Sequence, residues 1–271
     1  MSAFVLLVLH SALALEVELV ATGDFLPTDA APSADGSVVW FLTDDESGSA
    51  LYRVEADGTV VRRAGFEHAM GLAQSADDRT VWVGDARGVW AVPAAGGPVR
   101  PVAGGLGYEV HQLDVAGRLV FAATAPDGSE GVFALSPREG RVRRLAGGFE
   151  APPTGAFVLA PGDLVVALED GSLYRQTGGE RMLLASGVQM GLPTGMALGP
   201  DGSTLMVSSL SEAGTSQVLL VDVDVGVVGT FEEVIGANVG SGGLHQASGA
   251  AVWAWAGITS GGSGAVYRIH D

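Results

Sequence analysis

Apolar residues fall along this chain in short runs separated by Gly, Asp and Pro, and no stretch shows the 3.6-residue spacing of an amphipathic helix. The pattern predicts strands. The clearest are Val38 to Leu42, Val81 to Gly84, Leu119 to Ala123, Leu164 to Leu168, Leu205 to Ser208 and Val252 to Ala256. Their nearly unbroken apolar character means that both faces are covered, as when one sheet packs between two others. A second set follows at Ala50 to Val54, Gly88 to Val92, Gly131 to Leu135, Gly171 to Arg175, Gln217 to Val221 and Gly264 to Arg268, mostly with an aromatic near the same point.

These pairs of runs recur about every 40 residues, a period that signals a repeat architecture. Pro27-Thr28-Asp29-Ala30-Ala31-Pro32-Ser33-Ala34-Asp35-Gly36 aligns without a gap on Pro193-Thr194-Gly195-Met196-Ala197-Leu198-Gly199-Pro200-Asp201-Gly202. Pro153-Thr154-Gly155 opens a third copy and Gly71 to Asp78 a fourth, with weaker copies at His111 to Gly117 and Gly242 to Gly249. Each unit holds four strands, but the last is one strand short, while Leu15 to Ala21 stands alone before the first. Joining the two closes a ring and leaves no blade with an extra edge. The expected fold is all-β: a six-bladed β-propeller of four-stranded antiparallel blades, closed by the N-terminal strand pairing with the last blade, in one domain over 15–271.

The run from Leu192 to Ser208 resembles the blade-opening motif of the six-bladed propellers of the gluconolactonase/senescence-marker-protein-30 and NHL group, and the YVTN-repeat propellers have a related line. Gluconolactonase-like members hold a divalent cation in the central channel with an acidic residue and Asn-type ligands, one of them in a Pro-Asn-Gly turn. Here the turn is Pro193-Thr194-Gly195, Ser208 or Ser209 stands where an Asp often follows the second strand, and Asn238 is the one Asn in the chain. The resemblance implies a lactonase; these departures argue against a site of that design.

The first residues change the picture next. Phe4 to Leu15 is too short an apolar run to cross roughly 30 Å of hydrocarbon comfortably, and Ala12-Leu13-Ala14 supplies a small-x-small cleavage pattern. Residues 1–14 read as a signal peptide, so the expected address is periplasmic or secreted, with no stable membrane span after cleavage. The chain has no Cys, which excludes disulfides, thiolate metal sites and a cysteine nucleophile. Its 31 acids oppose 14 bases, all Arg, for a formal charge of -17. Nucleic acid is excluded as a partner, because phosphate-backbone binding needs a basic surface.

Sorting residues by loop concentrates acids on one face. The outer-to-inner and second-to-third connections carry Asp24, Asp29, Asp44, Asp45, Glu46, Glu67, Asp85, Glu109, Asp127, Glu130, Glu150, Glu169, Asp170 and Glu212, with only Arg87 opposing them. Such a face attracts cations or a basic partner. We take Asp44, Asp45, Glu46, His68, Glu109, Thr154 and Thr194 as its ligand residues. Asp29, His111 and His245 are the candidate metal ligands, calcium being a suitable hard cation for the Asp. No catalytic residue is assigned, since nucleophile elbows, zinc helices and phosphate loops are missing from the sequence. The reading is an exported, monomeric binding or interaction module whose partner is a protein, glycan or small molecule. Its alternatives are a divalent-cation-dependent lactonase or esterase, and a component of an envelope assembly.

Overall fold

A computed structural model describes residues 15–45, 48–211, 216–231, 242–258 and 262–270. The leader read in residues 1–14, Glu46 and Glu212 lie outside them. Six antiparallel sheets follow one another around a ring. Blade 1 holds β2 (Pro27–Pro32), β3 (Val39–Asp45), β4 (Gly48–Val54) and β5 (Val60–Phe66); blade 2 holds β6 (Gly71–Gln74), β7 (Thr80–Asp85), β8 (Gly88–Pro93) and β9 (Arg100–Leu106). Blade 3 holds β10 (Glu109–Val115), β11 (Leu119–Thr124), β12 (Glu130–Ser136) and β13 (Arg141–Gly147), and blade 4 holds β14 (Pro153–Ala160), β15 (Asp163–Leu168), β16 (Leu173–Thr177) and β17 (Glu180–Ala185). In blade 5 the inner strand is split into β18 (Gln189–Met190) and β19 (Met196–Leu198), both paired with β20 (Thr204–Leu210), before β21 (Ser216–Asp222) and β22 (Gly226–Phe231). Blade 6 is β23 (Leu244–Gln246), β24 (Val252–Ile258) and β25 (Gly264–His270), and its outer strand is β1 (Glu16–Gly23) from the other end of the chain.

In blades 1 and 2 a shared Ser-x-Asp motif shapes the turn from the first to the second strand. Asp35 accepts hydrogen bonds from the Ser37 N–H at 2.9 Å and from the Ser33 hydroxyl at 2.7 Å, and Asp77 does the same for Arg79 N–H and Ser75. The Ser37 backbone N–H and the two serine hydroxyls hold the Asp35 carboxyl down at about 2. Such Asx turns reverse the chain between first and second strands without any long loop.

The core lies between blades, not within one. Trp40, Leu42 and Leu51 of blade 1 pack with Leu72, Val81 and Val83 of blade 2, and Trp253, Trp255 and Ile269 of blade 6 pack with Met206 and Val218 of blade 5. Both faces of the second strands are therefore buried, which is why their sequences show no polar alternation.

Candidate functional site

The inner strands draw together at the end of the ring where the outer-to-inner and second-to-third connections lie, here termed the loop end. A Cβ on Gly195 would sit 1.8 Å from the Leu244 backbone nitrogen, and one on Gly243 would sit 1.6 Å from Asp29 Oδ1. Glycine is required there because a neighbouring backbone or carboxylate already fills the space. Thr154 and Thr194 face each other across this contact, hydroxyl to hydroxyl at 2.7 Å, and Thr194 also donates to Gly191 O. Both are buried. Gly195 N–H donates to the Ser208 hydroxyl at 2.8 Å.

Below them lies a charged cluster drawn from three blades. Asp29 of β2 is fully buried; its Oδ1 accepts from Ala30 N–H and its Oδ2 from Leu72 N–H, each at 2.8 Å. His245 of β23 directs Nε2 at the same carboxylate, 3.0 Å from Oδ1. On the other side of the ring axis its Nδ1 stands 3.7 Å from Oδ1 of Asp114, at the end of β10. That separation is an ion-pair contact, too long for a hydrogen bond.

Burial works against charge on His245, but the Asp29 carboxylate and then Asp114 overcome it and push the imidazole up to about 10. Burial likewise raises the Asp29 carboxyl above its ordinary range, against the pull of His245 and the two backbone N–H groups. Every group aimed at Asp29 is a donor, so the arrangement is that of an imidazolium clasped between carboxylates.

The cluster is also a floor. A cavity of about 750 Å³ opens on the turn end of the ring, opposite the acidic loops, with His245 and Asp114 among its lining and Ala31, Ala73, Phe157 and Met196 on its walls. Gln74 and Gln246 add amides, and Ala76 lies exposed at the mouth.

The candidate metal ligands separate. Asp29 and His245 meet, whereas His111 stays in its own blade, 3.0 Å from Thr124 Oγ1 and 3.8 Å from Glu130. Among the described residues no group of three or more His, Cys, Asp or Glu is arranged to hold a metal ion. A divalent cation of the kind the lactonase resemblance implies does not fit. Asp29 has donors on both oxygens, Thr194 is committed to its neighbours, and the adjacent imidazolium repels a cation. At the loop end Asp44 accepts from Ser49 and contacts His68 Nδ1 at 3.2 Å, with His68 exposed at φ +50°, while Glu109 is exposed at the start of β10. Of Asp45 the structure describes only the backbone position at the end of β3. Sequence reasoning missed Asp114 and, with it, the turn-end cavity and its Gln74 and Gln246.

The fold and this axial site define a six-bladed β-propeller closed by its own amino-terminal strand. Solved structures of the same shape include a putative gluconolactonase, 15% identical, covering 95% of this chain and 92% of that one at a TM-score of 0.69. A calcium-binding regucalcin from Agrobacterium tumefaciens is 14% identical over 94% of this chain and 93% of that one, also at 0.69. A gluconolactonase from Xanthomonas campestris is 18% identical over 94% and 89%, at 0.67. No family model matches the chain, and no curated protein matches it in sequence. At these identities the likeness is one of fold.

Proposed function

We infer that this chain is an exported binding module whose small-molecule ligand sits in the axial cavity at the turn end. One observation carries the reading: the residues that would serve a channel-bound cation are packed shut at the loop end, while the opposite end holds an open cavity with a charged floor. Its volume is within the range of small-molecule sites, and its lining is apolar with a few convergent polar groups. Export rests on the leader read in residues 1–14.

Ligand-observed NMR with a library of small amines, alcohols and carboxylic acids tests the site. Hits are expected to compete with one another and to lose at least tenfold in affinity in Ala76→Trp, whose indole fills the mouth. Hits indifferent to that substitution place the ligand elsewhere and defeat the reading.

A second surface has its own support. Asp24, Glu109, Glu150 and Glu169 are exposed on loop-end connections without an ion pair among the described residues, and Arg87 is already engaged by Glu67 at 3.1 Å. This acidic face suits a basic partner. A lysine-rich peptide is expected to bind at low salt, and neutralising Asp44, Asp45 and Glu46 together to Asn, Asn and Gln should weaken it several-fold. Unchanged binding across ionic strengths would remove the acidic face from the account. The lactonase alternative keeps the support of fold likeness alone.

A further inference from the structure

Sixfold repetition makes a missing side chain visible. At one level of each blade the second and third strands pair Trp40 with Arg53, Trp82 with Ala91, Val165 with Arg175, Met206 with Leu220 and Ala254 with Arg268. Each of these pairs contains at least one long side chain. In blade 3 the pair is Val120 with Ala134, and both are short. A groove of about 450 Å³ opens there between blades 3 and 4, with Val120, Ala134, Leu145, Val158 and Leu164 as its apolar lining.

The rim reverses the sign of the protein. Arg118, Arg143 and Arg144 line the groove, all exposed, in a chain of net charge -17. Arg144 is fixed by donating to the carbonyls of Glu130 and Ala146, and its guanidinium lies 5.8 Å from the centre of the Phe133 ring. Arg118 and Arg143 have no hydrogen-bond or ion-pair partner for their side chains among the described residues. Asp163, the acid in the lining, is occupied by Arg175 at 2.7 Å. Two unpaired guanidiniums above an apolar trough are complementary to an anionic head on an apolar body.

We propose that this groove binds an organic anion with an apolar body, an acyl or aryl carboxylate, its head held by Arg118 and Arg143 and its body lying on Val120, Ala134 and Val158. Anionic lipid in a bilayer presents related chemistry; the groove's small volume commits the site to a free molecule. The site is separate from the axial cavity and stands or falls independently of it.

Isothermal titration with decanoate, below its micelle concentration, tests the proposal. The expected result is saturable one-to-one binding, no binding of decyltrimethylammonium, and at least a tenfold loss of decanoate affinity in Arg118→Gln/Arg143→Gln, whose surface changes leave the melting temperature in place. Ala134→Arg restores the side chain that blades 1, 4 and 6 carry at this level and should abolish binding. Non-saturable decanoate uptake, equal binding of the cationic amphiphile, or full affinity in the double Gln variant overturns it. Sedimentation with phosphatidylglycerol vesicles in the absence of decanoate binding also overturns it, by assigning the arginines to a membrane surface.

Discussion

Replacing His245 with Ala is expected to lower the free energy of unfolding by about 3–5 kcal/mol, the usual consequence of stranding one member of a buried ion pair. Asp29 has no route to solvent, and with His245 gone its two backbone donors alone face a full negative charge. The same pair gives stability a pH dependence of definite sign. His245 has a folded-state pKa raised to about 10 from an ordinary value near 6.5. Its contribution is therefore complete below about pH 6.5 and is lost as pH rises through about 10, because above that value neither state holds the proton. Urea denaturation at about pH 6 and about pH 10.5 should show a falling midpoint for the parent protein and a much flatter response for His245→Ala. Equal alkaline losses in the two proteins would show that the proton is bound elsewhere.

The fold could be read from the chain because a propeller repeats its instructions. Glycine before the third strand, an apolar second strand and the blade-opening motif recur often enough that each unit corroborates the others. Even the long-range closure followed from counting strands, since Leu15 to Ala21 and the three-stranded last unit each lacked a partner. The site was harder, since its contacts join blades across the ring. Asp29 and His245 are 216 residues apart, and their pairing depends on ring geometry that no local pattern encodes.

Asp114 had a signal that went unread. In register against the second strands, its level in the other blades is occupied by Ala31, Ala73, Phe157, Ala197 and His245. An acid and a base replace apolar residues at that level in opposite blades, and only a comparison by pairing register would expose it. Thr154 and Thr194 show the converse difficulty. Their place in the blade-opening motif was legible, but the close backbone approach that buries them was not, because sequence shows a glycine without showing what presses against it.

Removing residues through Gly23 is expected to have the largest effect of all on stability. The deletion strips seven registered partners from β25, together with the buried side chains of Leu15 and Ala21 and the packing of Val17 and Val20. It also removes the 2.9 Å ion pair of Glu18 with Arg268 and leaves a long unpaired edge. Burial of the apolar side chains alone contributes on the order of 5 kcal/mol, and the ring loses the contact that makes its two ends one structure. The truncated chain should aggregate or melt far below the parent, and a synthetic peptide spanning Leu15 to Gly23 should restore part of the transition by adding back as a strand. The proposed cleavage after Ala14 would spare every one of these contacts; if the proposal holds, amino-terminal sequencing of exported protein should begin at Leu15. A truncated monomer as stable as the parent, or a mature terminus inside β1, is incompatible with closure by this strand, and with it the level-by-level register that places His245 opposite Asp114 would have to be redrawn.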